Sequence, residues 1–132
     1  MIDGLNHITI TVSDIQMSLD FYSKILGFNG HVVWDTGAYL SNSGVWLCLS
    51  LGNPIPSKDY SHIALSVPES EFLELSKTII GADTRQWKTN CSEGESLYFL
   101  DPDGHKLEIH VGGLQQRLKN LKSNPYSGLR WL

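Results

Sequence analysis

Positive charge is scarce in this chain. Ten lysines and arginines stand against fourteen aspartates and glutamates, a formal net charge of -4 over 132 residues. Nucleic-acid binding calls for a concentrated basic surface, so no nucleic-acid partner is expected. Cysteine is sparse as well. Cys48, in an apolar stretch, and Cys91, in a polar loop, are the only two; they provide no disulfide framework and fit a reducing compartment. No apolar run reaches the length of a membrane span, and the opening MIDGLNHITI lacks the basic stretch and apolar core of a secretory signal. The expectation is a cytoplasmic protein with no membrane contact. Hydrophobic residues at 41% and charged residues at 18% describe an ordinary folded domain, and the length suffices for one core.

What is present repeats itself. LNHITITV alternates with period two, which puts His7, Thr9 and Thr11 on one face of a strand and Ile8, Ile10 and Val12 on the other. Ser13 and Asp14 offer helix-capping chemistry. Ile15, Leu19, Tyr22 and Leu26 then recur at helical spacing up to Gly27. HVVW, GAYLS and VWLCLSL follow as short β-prone runs. The second half has the same order: YSHIALSV alternates, Pro68 opens a helix carrying Phe72, Leu75 and Ile79 that stops at Gly81, and SLYFLD and HKLEIHV flank the turn sequence Asp101-Pro102-Asp103-Gly104. The class is α+β, with two paired βαβββ modules whose sheets enclose a cavity. Module one covers about 1–52, a proline-bearing linker about 53–58, module two about 59–112 and a C-terminal extension 113–132, all within a single domain 1–132.

His7 and His62 occupy the same register of the two modules. On the closing strand Leu107, Ile109 and Val111 share one face, so Glu108 and His110 share the other. A carboxylate in a strand interior needs a cation or donors, and two imidazoles with one carboxylate suit a divalent metal. A strand histidine is equally readable as a hydrogen-bonded group and a strand glutamate as a solvated one. Spacing alone leaves the metal and the reaction open. His31, His105 and His110 have no repeat partner and read as ordinary hydrogen-bonded residues.

The segment 87–99, WKTNCSEGESLYF, gathers Lys88, Asn90, Ser92, Gly94, Ser96 and Tyr98 into one turn and the start of a strand. A lysine charge with hydroxyls suits a phosphate or phosphonate, and an oxygen-rich loop can also hold a monovalent cation; a polar surface hairpin would have the same pattern. Arg117 in LQQRLKN could reach back to such an anion. Trp34, Tyr39 and Trp46 read as packing residues.

These stretches, with WDTGAYL, VWLCLS, DYSHIALSV and the closing NPYSGLRW in order along nearly the whole chain, make the sequence resemble the fosfomycin-resistance glutathione transferases of the vicinal-oxygen-chelate, or glyoxalase-like, superfamily. The resemblance implies a glyoxalase-like fold in a domain-swapped homodimer with shared active sites, and fosfomycin inactivated by thiol addition to its epoxide, giving antibiotic resistance. It implies manganese on His7, His62 and Glu108, with His7 from one subunit and the other two from its partner. Thr9, Lys88, Ser92, Tyr98 and Arg117 would surround the phosphonate and oxirane oxygen, with Ser96 also on the substrate side. Asn90, Ser92, Gly94 and Ser96 would cradle potassium. Tyr39 would help ionise the glutathione thiol, Trp46 would line the substrate cavity, and Trp34 and Ser50 would lie along the glutathione approach. The sequence departs from the family's pattern at Cys91, where relatives tend to have a basic residue, and at Thr36, often a longer polar side chain.

Three other readings can be weighed against the same residues. Two histidines and a carboxylate also form the facial triad of iron oxygenases, although a catechol does not call for Lys88, Ser92, Ser96 and Arg117. A non-catalytic drug-binding protein would need no metal. A glyoxalase would want a second carboxylate, and the position equivalent to Glu108 in module one is about Cys48.

Overall fold

The computed structural model describes residues 1–132. Strand β1 (Ile8–Val12) leads into helix α1 (Ile15–Asp20), capped by the Asp14 carboxylate accepting from Met17 N at 2.9 Å. Helical spacing predicts an α-helix running on to Leu26. Instead the last turn, Phe21–Ile25, widens to π geometry, with Leu26 N donating to Phe21 O at 3.3 Å. Within that turn Tyr22 is buried and its hydroxyl meets a carboxylate of the other half of the chain, a tertiary contact that side-chain period cannot report. Strands β2 (Asn29–Trp34), β3 (Gly37–Asn42) and β4 (Val45–Leu51) complete a sheet of order β1-β4-β3-β2.

Strand β5 (Ile63–Ser66), helix α2 (Glu69–Gly81) and strands β6 (Gln86–Lys88), β7 (Ser96–Leu100) and β8 (Lys106–His110) form a second sheet of order β5-β8-β7-β6, and helix α3 (Leu114–Ser123) follows. Pro68 caps α2 in an extended conformation, and Glu69 and Glu71 in its first turn complement the helix dipole. The two sheets repeat each other pair by pair. Thr9 lies opposite Cys48 and Cys48 opposite Tyr39 in the first, as Ala64 lies opposite Glu108 and Glu108 opposite Tyr98 in the second. The expected paired βαβββ architecture is the one found. No helix is long and apolar enough to cross a membrane.

One core of 15 buried residues draws on both sheets, from Ile10, Leu40 and Leu49 to Val67, Phe99 and Ile109. At its edge the turn 101–104 clamps the two halves. Asp101 accepts from Asp103 N and His105 N, both at 2.9 Å, and from the Tyr22 hydroxyl at 2.8 Å. Asp103 accepts from Ser13 N, and His105 Nε2 donates to Thr11 O at 2.6 Å. Gly104, at φ +89°, closes the turn in the left-handed region. Burial, followed by the charge of Asp101, pushes the Tyr22 hydroxyl far above the usual tyrosine range, so it stays a donor. Tyr22→Phe leaves one oxygen of a buried carboxylate without its partner. We expect a loss of about 1–3 kcal/mol in denaturant unfolding at fixed protein concentration, with an unchanged m-value.

Candidate functional site

With the core and the clamp on one side, the opposite face of each sheet bears the polar and aromatic residues. His62 stands one residue before β5, as His7 stands one residue before β1. Across the second sheet, Glu108 from β8 is only 7% exposed, and its Oε2 lies 2.9 Å from His62 Nε2. The other ring nitrogen of His62 is 2.7 Å from Tyr60 O; a carbonyl only accepts, so Nδ1 donates there and Nε2 is the nitrogen left facing Glu108. His7 is arranged alike, with Nδ1 2.7 Å from Asn6 Oδ1. Imidazoles fixed through one nitrogen, with the other aimed at a carboxylate or at open space, are what a metal centre requires. The donor set therefore fits a divalent ion.

The chain brings only part of that set together. His62 and Glu108 meet, whereas His7 is exposed on the first sheet with its ring 4.6 Å from that of Trp46. No three such ligands of one chain converge on a metal position. Beyond Trp46 the aromatic row continues to Tyr39 (5.4 Å) and Trp34 (4.9 Å). Each of the three is about two-fifths exposed, at 38%, 38% and 42%. As a pattern they read as packing residues, while the resemblance implies roles at the substrate and the thiol; here they stand uncovered beside Thr9 and Ser50, which point the same way by strand alternation.

The second sheet's face is better enclosed. Tyr60, His62, Trp87 and Tyr98 pack ring against ring at 5.0–6.1 Å, and the Trp87 indole donates to Leu107 O at 3.0 Å. Lys88 reaches over this wall, its ammonium donating to the Tyr60 hydroxyl and lying 4.4 and 4.9 Å from the Tyr60 and Tyr98 ring centres. The hydrogen bond to Tyr60 raises the Lys88 pKa, so the cation persists through neutral pH. Burial raises that of Tyr98, which stays protonated.

The loop after β6 folds on itself. Asn90 donates to Gly94 O at 2.8 Å and accepts from Ser92 N and Oγ at 3.2 and 3.1 Å, which gathers oxygens in one turn. Gly94, at φ +81°, is pressed against Val111 O. Arg117 on α3 does reach back to this loop: it donates to Glu93 Oε2 at 3.3 Å and Glu93 O at 3.1 Å, and to the Tyr126 hydroxyl at 3.4 Å. Tyr126, before Glu93, raises its pKa further. Ser96 Oγ is 2.6 Å from Glu108 Oε1 and 2.6 Å from His110 Nδ1.

Three residues here escaped the sequence reading. Tyr60 lies two residues before His62, and that i, i+2 spacing was a usable signal. Trp87 gave none, because β6 is too short to show alternation. His110 shared a face with Glu108 in the strand pattern but read as an ordinary hydrogen-bonded residue. Two surface clefts, of about 630 and 940 Å³, share Lys24 and Ile25 and include neither His62 nor Glu108, although the larger extends to Ala64 and Ser66 of β5.

Residues 4–109 match the family model described as Glyoxalase/Bleomycin resistance protein/Dioxygenase superfamily. The glutathione transferase FosA of Serratia marcescens is 46% identical over 134 residues, which cover 98% of this chain and 95% of that protein. The metallothiol transferase FosB of Staphylococcus haemolyticus is 37% identical, covering 92% and 93%. Among solved structures, the fosfomycin resistance protein FosX of Listeria monocytogenes, complexed with Mn(II) and sulfate, superposes with a TM-score of 0.82 at 30% identity, covering 91% of this chain and 98% of that one. The chain belongs to the glyoxalase/bleomycin resistance protein/dioxygenase superfamily and, within it, to the fosfomycin resistance proteins.

Proposed function

We propose that this protein is a Mn(II)- and K+-dependent fosfomycin:glutathione transferase that works as a homodimer. The likeness to FosA over almost the full length supports the reaction, and the meeting of His62 with Glu108 supports the metal. A divalent ion on His7, His62 and Glu108 would supply Lewis-acid polarisation of the epoxide oxygen and neutralise the phosphonate. Lys88, held charged above the aromatic wall, pairs with a phosphonate oxygen; Ser92, Tyr98, Arg117 and Thr9 donate around it, and Trp46 packs on the carbon skeleton. Arg117 exchanges its Glu93 contact for the substrate. Tyr39 accepts a hydrogen bond from the glutathione thiol or donates one to its thiolate, favouring the nucleophile, while Trp34 and Ser50 align the peptide. The C–S bond forms as one C–O bond of the ring breaks; the oxygen keeps that electron pair, stays on the neighbouring carbon and takes up a proton, which balances the one given up by the thiol.

Asn90, Ser92, Gly94 and Ser96 hold potassium beside the anion. Cys91, exposed at the loop tip, offers glutathione no positive charge, and Thr36 little reach, so thiol affinity is modest. The uncovered aromatic row of the first sheet is closed by the second sheet of a partner subunit, which completes the triad with His7 from the other chain. Exchange of modules about the linker 53–58 gives two shared sites. The Lys88 ammonium above the aromatic wall favours an anionic substrate over a catechol, and the likeness to FosA favours turnover over sequestration.

Mass spectrometry of fosfomycin incubated with the protein, Mn(II) and glutathione is expected to give the glutathione adduct over many turnovers; stoichiometric retention of intact drug would mean a binding protein instead. Mixing His7→Ala with Glu108→Ala subunits is expected to restore about one working site per heterodimer, because both lesions then fall in one site. Absence of any recovery would rule out shared sites. Replacing potassium by sodium is expected to lower the rate, and equal rates in potassium, sodium and a bulky organic cation would remove the monovalent site.

A further inference from the structure

The hydroxyl of Ser96 has one proton and two close partners, Glu108 Oε1 and His110 Nδ1, each at 2.6 Å. An ionised carboxylate can only accept. The Ser96 proton therefore goes to Glu108, and His110 must hold its own proton on Nδ1 and donate it to Ser96 Oγ. The chain of bonds has a direction: His110 Nδ1–H to Ser96 O–H to Glu108 Oε1. The other carboxylate oxygen is the one facing His62 Nε2 at 2.9 Å.

The His110 ring is held firmly. Its residue sits in β8 between Ser96 of β7 and Ser66 of β5, and its carbonyl accepts from Val67 N at 3.1 Å. Loop backbone covers the ring, since a Cβ on Gly94 would come within 2.9 Å of His110 Cε1 and 2.8 Å of Val111 O. The last torsion of a glutamate is broad, so a carboxylate pinned through one oxygen presents the other in a fixed direction.

We propose that His110 is a positioning residue for the divalent metal: acting through Ser96, it fixes the rotation of the Glu108 carboxylate so that Oε2 stands beside His62 Nε2. The inference rests on the reading of His62 and Glu108 as metal ligands. It also narrows the role of Ser96. With its proton committed to Glu108, the hydroxyl has a lone pair left to offer, which suits a neighbouring cation and not a phosphonate oxygen.

The test is Mn(II) binding to the full-length protein without fosfomycin or thiol, followed by the electron paramagnetic resonance signal of free Mn(II). His110→Leu is expected to weaken binding about tenfold to a hundredfold. His110→Asn, whose amide N–H can take the place of Nδ1–H, should recover most of the loss. Ser96→Ala should match His110→Leu, and the double variant should be no worse than either. Unchanged affinity in His110→Leu would overturn the proposal. So would fully additive losses in the double variant, or a loss that Asn does not rescue and that follows a lowered metal-free Tm. Failure of the unsubstituted protein to bind Mn(II) is a separate result, which would overturn the ligand reading itself.

Discussion

A carboxylate in the middle of a strand has to find its compensation within reach, and in this protein that demand organises one whole face of the second sheet. Glu108 is nearly closed off from solvent, yet it meets an imidazole on one oxygen and a hydroxyl on the other. Each of those groups is secured in turn. His62 is oriented by Tyr60 O, Ser96 stands opposite His110 in the β7–β8 ladder, and Trp87 ties the aromatic wall to Leu107. Burying a lone charge would be costly. The surrounding polar groups occupy both its oxygens and aim the carboxylate.

The clamp at residues 101–104 is the complementary device. It ties the halves of the chain together at their edges, through Tyr22, Ser13 and Thr11, and leaves the polar and aromatic sheet faces open. Had the halves been joined face to face, the residues now on open faces would have been consumed by the core.

Much of this was legible in the sequence because alternation and repetition are local. The period of LNHITITV and of HKLEIHV assigns each residue to a face, and the repeat gives His7 its counterpart in His62. What could not be read is what neighbouring strands decide. The π-helical turn forms around a contact between Tyr22 and Asp101, 79 positions apart. The three residues of β6 are too few to show a period. His110 lacked a counterpart with similar chemistry, since the repeat puts Ser50 in its place, and its part came into view only when β7 set Ser96 against it. The open aromatic row of Trp34, Tyr39 and Trp46 has the composition of a packed core; only its exposure sets it apart.

The repeat is also broken at one position, where Cys48 lies opposite Thr9 and Tyr39 as Glu108 lies opposite Ala64 and Tyr98. Duplicated sheets could have supplied two carboxylates to a common centre. Cys48 is buried and supplies none, so a divalent ion among two neutral imidazoles and a single carboxylate would retain part of its charge. With the ion bound as proposed, that residual charge would fall on the same side as the Lys88 ammonium and would favour a doubly charged phosphonate over an uncharged guest. The breach of symmetry would then act as an electrostatic filter, set by the absence of one acidic side chain.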